Sequence, residues 1–280
     1  MSKKWNMIVD VAKCENCHNC FLVTKDEHVS NDFPGYSAPQ PLHGHEWIAM
    51  RRHERGQAPI VDAHSMPVMC NQCDDAPCIR AGKDGAVYQR DDGIVIIDPV
   101  KAKGQKQIVN SCPYKVIYWN DELDLPQKWI FDAHLMDAGW TRTRAEQVCA
   151  TGALRSLKVS DEEMREIATA EKLDVLLPER KTKPRVYYKN LHLMHKAFVG
   201  GTLVRVTDGV EDCQSGVSAE LSHNGKVVGA AITDHFGEFK IDGLEPESGS
   251  YVLTLTAPGG KSSTHPVHLG ISQYLGVFAL

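Results

Sequence analysis

The chain has 280 residues, with 42% hydrophobic and 24% charged side chains and a formal net charge of −5. This composition is ordinary for a globular protein, and the length predicts about two domains. Charges of both signs exclude a basic face for nucleic acid, and no apolar run is long enough for a membrane-spanning helix.

Two cysteine-rich runs mark the first part of the chain, and the first follows a predicted strand over residues 5–12. The runs are Cys14-x2-Cys17-x2-Cys20 and Cys70-x2-Cys73-x4-Cys78. Ferredoxins use such runs to supply three ligands of an iron–sulfur cluster and take further ligands from a distant segment. Cys112 and Cys149 are the candidates for the two missing ligands. The run Cys112-Pro113 is itself typical of ferredoxins.

Zinc is the alternative for these cysteines, because paired CxxC units also hold tetrahedral zinc. Zinc ribbons usually bring their ligands as two pairs and not as a triplet with a remote fourth, which favours iron–sulfur clusters. Disulfides fit less well, since CxxCxxC spacing gathers sulfurs around one centre and a chain of this size needs no staples. Cys213 lies apart, and we interpret it as a small core residue or a free thiol.

Three further segments have distinct local patterns. Residues 28–67 are polar and rich in Pro and Gly, which predicts loops and not regular elements. Residues 86–98 predict a β-hairpin with an Asp-Gly turn. Residues 160–171 predict a helix with Ser160 as N-cap and acidic residues in its first turn.

The final third, from Gly201 to Leu280, alternates apolar and polar residues in short strands separated by turns. Asn224-Gly225 is a hairpin turn signal, and the segment from Thr233 to Leu253 resembles the repeat pattern of prealbumin-like or CnaB-like β-sandwiches. The spacing agrees with a sandwich of roughly 80 residues. A docking role and a purely stabilising role both stay open. Six strands are predicted: 202–206, 217–222, 226–232, 238–241, 251–257 and 264–268.

The layout of the cysteines resembles the iron–sulfur subunits of molybdopterin oxidoreductases, within the dimethyl-sulfoxide-reductase superfamily. Those subunits have four cysteine motifs, in which motif one pairs with motif four and motif two with motif three. The resemblance implies two [4Fe–4S] clusters, each with four cysteine ligands. Cluster A would be bound by Cys14, Cys17, Cys20 and Cys149, and cluster B by Cys70, Cys73, Cys78 and Cys112.

The same resemblance implies that two of four ancestral clusters are missing. One lost ligand set corresponds to Thr24, Trp129, Asp132 and Ala145, and the other to Gly82, Ala102, Gln105 and Ile108. Loss in complete sets argues that the two remaining sets are functional, because random decay would leave half-ligated sites. Asp132 is able to bind iron, but its companions Trp129 and Ala145 are not, so no third cluster is expected.

Over its whole length the chain resembles the small subunits of pyrogallol–phloroglucinol transhydroxylases and resorcinol hydroxylases. The segments GAVYQR, KPRVYYKNL and FGEFK carry this resemblance. It implies an α+β fold with three parts. A double ferredoxin-like iron–sulfur domain with loop insertions covers residues 1–158, a helix and linker that pack back on it cover 159–200, and a seven-stranded prealbumin-like or CnaB-like sandwich covers 201–280.

The resemblance also implies a partner, namely a large catalytic subunit that carries molybdenum or tungsten bound by pterins. No catalytic residue is identified in this chain, which would be the electron-transfer subunit of an enzyme acting on hydroxylated aromatics. Transhydroxylation is redox-neutral, so an interrupted series of clusters favours it over hydroxylation. A resorcinol-type hydroxylase, another molybdenum oxidoreductase, and a mainly structural role for the clusters remain alternatives. Oxygen-sensitive clusters and the lack of an apolar leader predict a cytoplasmic location.

Overall fold

The computed structural model describes residues 2–280, which divide into two compact units. The first unit comprises the chain up to Arg52 together with His64–Leu191, and the second comprises His53–Ala63 together with His192–Leu280. The segment His53–Ala63 is therefore an early segment of the second unit, and the chain after it completes the first unit.

The first unit is built from short strands and helices joined by loops. Its strands, including two whose distal residues belong to the second unit, are β1 (Lys4–Asp10), β2 (Ile48–Gln57), β3 (Ile60–Met69), β4 (Val87–Gln89), β5 (Val95–Ile97), β6 (Tyr118–Asn120), β7 (Leu125–Gln127), β8 (Leu154–Val159) and β9 (Val186–Lys189). Its helices are α1 (Asn19–His28), α2 (Pro77–Ala81), α3 (Gln107–Asn110), α4 (Ala133–Asp137), α5 (Arg144–Gln147) and α6 (Asp161–Glu171). Single turns of 3₁₀ helix cover Val11–Lys13, Pro178–Arg180 and Leu191–Met194.

A three-stranded sheet with the order β8-β1-β9 lies in this unit. β1 pairs antiparallel with β8 and parallel with β9, with Met7 opposite both Ser156 and Val186. The central strand is almost entirely buried, which explains the apolar run from Met7 to Val9. The strand predicted over residues 5–12 is confirmed up to Asp10, after which Val11 and Ala12 begin a 3₁₀ turn. The KPRVYY segment pairs with it through β9, so this segment folds back as predicted.

Two other local predictions for the first unit are confirmed. The hairpin over residues 86–98 is formed by β4 and β5, and Gly93 in its turn has φ +86°. The helix over 160–171 is α6, which begins with a complete capping box. The Glu163 backbone N–H donates to Ser160 Oγ at 3.2 Å, and the Ser160 backbone N–H donates to the Glu163 carboxylate at 2.7 Å. Two backbone donors at the start of the helix are thereby satisfied.

The prediction that residues 28–67 form only loops is wrong, because β2 and β3 pair as a two-stranded ribbon. Charged residues such as Arg51 and Glu54 obscure the strand alternation, since a ribbon satisfies its backbone by pairing and not by burial. Gly56 near its tip has φ +87°, and a Cβ there would lie 2.5 Å from the Ile60 carbonyl oxygen and 2.6 Å from the Phe198 ring. A larger residue at position 56 therefore does not fit.

The second unit contains two four-stranded sheets. Its further strands are β10 (Ala197–Thr207), β11 (Val210–Cys213), β12 (Ser218–His223), β13 (Lys226–Ile232), β14 (Glu238–Leu244), β15 (Gly249–Thr256), β16 (Ser262–Leu269) and β17 (Gln273–Ala279). In one sheet β10 pairs with β11, β14 and β17, and in the other the order is β13-β12-β15-β16. Buried residues of both sheets, including Leu203, Phe239 and Leu253, form one hydrophobic core.

All six strands predicted for this unit are present, and the Asn224-Gly225 turn has the two positive φ angles of a type I′ hairpin. The unit has two more strands, β11 and β17. Eight strands therefore follow residue 192, whereas a seven-stranded sandwich was predicted. β11 escaped prediction because all four of its residues are exposed, which leaves no alternation to detect. β17 escaped because it lacks a clear alternating burial pattern and pairs in parallel with β10.

A buried arginine in the early segment of the second unit organises its polar contacts. The Arg55 guanidinium donates two hydrogen bonds to the Asp242 carboxylate, at 2.7 and 2.5 Å. It also donates to Asp62 at 3.0 Å and to the Lys196 carbonyl at 2.9 Å. The Phe198 ring lies 5.2 Å from its central carbon. Arg55 therefore joins residues that are distant in sequence through charge-assisted hydrogen bonds.

The two carboxylates of this network predict a loss of stability in acid. Burial alone would raise the pKa of Asp62 and Asp242, but the neighbouring Arg55 and Lys240 cations lower both below 3.8. A carboxyl whose pKa is depressed in the folded state stabilises that state above its unfolded pKa, and the contribution disappears as pH falls through the folded value. We expect the strands of the second unit to lose hydrogen-exchange protection below about pH 4, the unfolded pKa of Asp. The pH dependence should be smaller in Asp242→Asn, whereas an unchanged dependence in that variant would contradict the assignment.

Candidate functional site

The cluster A cysteines, which are Cys14, Cys17, Cys20 and Cys149, lie at the ends of short elements. Cys14 follows the 3₁₀ turn after β1, Cys20 lies in the first turn of α1, and Cys149 follows α5. Residues Asn16 and His18 have φ angles of +56° and +61°, which turn the chain around Cys17. The Cys149 Sγ accepts a hydrogen bond from the Ala153 backbone N–H at 3.2 Å.

The thiols of the cluster A cysteines influence one another electrostatically. Burial, reinforced by the other three thiols, raises the pKa of Cys20 to about 12. Burial and the thiols of Cys149 and Cys17 also raise the pKa of Cys14, against a backbone hydrogen bond from Asn16. Two segments that are far apart in sequence therefore bring their thiols to one place. Cys17 is exposed, whereas Cys20 is buried.

The cluster B cysteines, which are Cys70, Cys73, Cys78 and Cys112, line a single cavity. Cys70 follows β3, Cys78 lies in α2, and Cys112 follows α3. The remaining lining is mostly apolar and comprises Asn71, Ala76, Pro77, Val95, Pro113, Tyr114 and Ile117. A mostly apolar surround of this kind controls solvent access and potential in metal sites.

Burial also dominates the acid–base behaviour of the cluster B cysteines. It raises the pKa of both Cys73 and Cys78 to about 12, and the Cys70 thiol adds to the effect in each case. Burial likewise raises the pKa of Cys112. Thr182 opposes the shift at Cys73 through a side-chain hydrogen bond, and its hydroxyl also meets the Tyr114 hydroxyl at 2.5 Å.

This donor chemistry fits iron–sulfur clusters. Crowded buried thiols do not ionise at neutral pH without a compensating cation, and coordination to metal supplies one. Each set provides four cysteine sulfurs, which is the usual ligand set of a [4Fe–4S] cluster. Within residues 2–280, no three His, Cys, Asp or Glu side chains form a group that could hold a single metal ion. All nine cysteines are free thiols.

Side chains pack where the first of the missing ligand sets would lie. Thr24, Trp129, Asp132 and Ala145 are all buried, with exposures between 0 and 4%. The Trp129 indole N–H donates to Asp132 Oδ1 at 3.3 Å, and the Arg144 backbone N–H donates to Asp132 Oδ2 at 2.8 Å. The Thr24 hydroxyl donates to the Cys20 carbonyl at 2.8 Å. Hydrogen bonds within the protein therefore engage both oxygens of Asp132.

The second missing set is also occupied by packed or hydrogen-bonded side chains. Ala102 and Ile108 are fully buried. Gln105 accepts from the Lys83 backbone N–H at 2.8 Å, next to Gly82, and donates to the Lys101 carbonyl at 2.8 Å. Neither set retains a cysteine, so these positions bring no thiol to the site.

Comparison with known proteins places these sites in a family. A family model described as a 4Fe-4S dicluster domain matches residues 61–159, which include all four cluster B cysteines and Cys149. The pyrogallol hydroxytransferase small subunit of Pelobacter acidigallici is 43% identical to this chain over 265 residues, which is 93% of each chain. The chain belongs to the pyrogallol hydroxytransferase small-subunit family. The resemblance predicted from the cysteine motifs is confirmed.

More distant relatives share part of the pyrogallol hydroxytransferase small-subunit sequence pattern. A tetrathionate reductase subunit of Salmonella typhimurium is 28% identical over 193 residues, covering 67% of this chain and 73% of that protein. The thiosulfate reductase electron transfer subunit of Salmonella typhi is 27% identical over 165 residues, covering 59% of this chain and 81% of that protein. Among residues 2–280, no helix is long and apolar enough to cross a membrane.

Sequence reasoning about this pyrogallol hydroxytransferase family member missed three residues near the cysteines. Gln72 and Lys128 are buried, and both contact Val95, which lines the cavity of the cluster B cysteines. Thr182 lies beside Cys73, although it is more than 100 residues away in sequence. A lone lysine in the otherwise apolar stretch around Trp129 was the available signal for Lys128, whereas nothing local distinguishes Thr182. Cys213 is exposed in β11, so its interpretation as a core residue is wrong and that as a free thiol stands.

Proposed function

We propose that this chain is the electron-transfer subunit of a molybdenum or tungsten enzyme and carries two [4Fe–4S] clusters. Cluster A is assigned to Cys14, Cys17, Cys20 and Cys149, and cluster B to Cys70, Cys73, Cys78 and Cys112. One observation carries the proposal. Each of these two sets is complete and its thiols act on one another, whereas a third set has become a packed Trp129–Asp132 contact.

A bound cluster of this kind supplies one-electron transfer at a potential that its surroundings set. The residues of this chain hold the ligands in place, and around the cluster B cysteines a mostly apolar lining excludes water. The Ala153 backbone N–H fixes the Cys149 sulfur, and Thr182 hydrogen bonds to the Cys73 sulfur. Hydrogen bonds to ligating sulfurs and an apolar lining are the means by which a protein orients ligands and adjusts a cluster's potential.

We propose that the partner is a large catalytic subunit whose metal is bound by two pterins and which acts on hydroxylated aromatic compounds. The supporting observation is 43% identity, over 93% of both chains, to a protein named as a pyrogallol hydroxytransferase small subunit. Transfer of a hydroxyl group between two aromatic rings is redox-neutral overall. Such a reaction tolerates the missing thiolates at Trp129 and Asp132, whereas a hydroxylase must dispose of two electrons in every turnover.

For the architecture we propose a double ferredoxin-like domain over residues 1–158, a helix and linker over 159–200, and a prealbumin-like or CnaB-like sandwich over 201–280. The buried cysteine sites support the first assignment, and the two four-stranded sheets with one shared core support the last. Oxygen-sensitive clusters favour the cytoplasm as the location. The active site of the complex is assigned to the partner subunit.

The test is the content of iron and acid-labile sulfide in the anaerobically purified complex. Two four-iron clusters give about eight iron atoms and about eight sulfides per chain. Cys78→Ala should remove about four irons while EPR after dithionite reduction still detects the other cluster. Cys213→Ala is the matched control, because this exposed thiol lies in the second unit, and its iron content should equal that of the unaltered chain.

Other outcomes separate the alternatives. About twelve irons would show a third cluster and return an electron-exporting hydroxylase to contention. Zinc without sulfide would overturn the redox assignment.

Freeze-quench EPR during turnover of the complex then distinguishes electron transfer from a structural role. If the clusters carry electrons, cluster A becomes reduced as fast as the enzyme turns over, and if they only stabilise the fold, it does not.

A further inference from the structure

Lys128 is a buried lysine in the first unit. Only 2% of its surface is exposed, and it is among the largest fully buried side chains of the protein. Its ammonium group donates hydrogen bonds to the carbonyl oxygens of Val95 and Trp129, the latter at 3.3 Å. Both acceptors are neutral, so these contacts orient the ammonium group without balancing its charge.

No carboxylate within residues 2–280 lies within ion-pair distance of the Lys128 ammonium. Burying a charge without a counterion is costly, so buried lysines are normally paired, or lose their proton. The buried arginines of this protein do have acidic partners, as Arg185 has in Asp74 and Asp161. The isolation of Lys128 therefore points to an anion supplied by something other than an acidic side chain.

Lys128 lies beside the cavity of the cluster B cysteines. Its ammonium group contacts the Val95 carbonyl, and Val95 lines that cavity together with the four cysteines. Gln72, which lies between Cys70 and Cys73, fixes this arrangement. Its carbonyl oxygen accepts from the Val95 N–H at 2.8 Å, and its amide donates to the Trp129 carbonyl at 3.2 Å.

We propose that Lys128 is the built-in countercharge of cluster B and makes that cluster easier to reduce. The inference rests on the proposed function, because it requires cluster B. A four-iron cluster with four thiolate ligands is an anion, and reduction adds one negative charge. A nearby buried cation therefore stabilises the reduced form more than the oxidised form, with little screening by water. The cavity that Val95 lines contains none of the cluster A cysteines.

The test replaces the charge and measures potentials in the assembled complex. Lys128→Met and Lys128→Gln remove the charge, and Lys128→Arg keeps it. Iron and sulfide are counted first, and EPR-monitored redox titration then follows each cluster. We expect the ratio of reduced to oxidised cluster B, at a fixed potential, to fall about tenfold in the two neutral variants, which is about 59 mV for one electron. Cluster A should keep its potential.

Lys115→Met is the matched control, since Lys115 lies three residues after Cys112 but is exposed to solvent. Water and salt screen its charge, so its removal should shift cluster B much less. Unchanged potentials in both neutral variants with full iron content would overturn the inference and leave the proposed function intact. Failure of cluster B to assemble in the neutral variants but not in Lys128→Arg would support the countercharge role. Absence of cluster B from the unaltered complex would instead defeat the proposed function.

Discussion

Cysteines at Thr24, Trp129, Asp132 and Ala145 together should give this chain a third four-iron cluster and raise its iron content from about eight to about twelve atoms. Three of the positions lie close together in the folded protein, because Trp129 donates to Asp132 and the Arg144 backbone N–H, beside Ala145, donates to the same carboxylate. Thr24 lies on α1, whose Glu27 forms an ion pair with Arg144. Removing the indole also vacates volume at the site.

Iron and sulfide analysis with EPR of the reduced protein measures this gain. Trp129→Cys alone is the control, because one thiol does not hold a cluster. That variant should keep about eight irons and lose about 3 kcal/mol of stability from the cavity left by the ring. A folded quadruple variant that still contains about eight irons would mean that the surrounding backbone no longer accommodates a cluster.

Arg55→Ala should destabilise the second unit by about 3 kcal/mol, the order expected when one partner of a buried ion pair is removed. The substitution leaves the Asp62 and Asp242 carboxylates without the guanidinium and removes the hydrogen bond to the Lys196 carbonyl. It also removes the cation above the Phe198 ring. Each loss acts in the same direction, toward local opening of the strands that these residues join.

Hydrogen exchange followed by mass spectrometry suits this measurement, because all five tryptophans lie in the first unit and their fluorescence does not report on the second. Protection should fall in the peptides of β10 and β14. Arg80→Ala is the matched control, since the Arg80–Asp75 pair is exposed, with side-chain exposures of 65% and 49%. Such pairs contribute about 0–1 kcal/mol. Equal effects of the two substitutions would contradict the role assigned to Arg55.

The cysteine spacing, the hairpin over 86–98 and the helix after Ser160 were predictable because each depends on residues close together in sequence. β2 and β3 were not predictable from their own sequence. Of Arg51, Arg52 and Arg55 only Arg55 is buried, and its partner Asp242 lies 187 positions later. The fourth ligands, Cys112 and Cys149, needed family resemblance for their pairing. The sequence around Lys128 hinted at an unusual lysine but not at its surroundings, because these are assembled from three separate segments.

The early segment of the second unit has a consequence for the order in which the protein is made. His53–Ala63 leaves the ribosome about 130 residues before His192, where the rest of its unit begins, an interval of roughly 6–26 s at typical rates of synthesis. During that time the tip of β2 and β3 lacks every packing partner that follows residue 192. All eight proposed ligand cysteines, the last of them Cys149, are translated within this interval or before it. Delivery of iron can thus begin on a nascent chain whose second unit is not yet able to close.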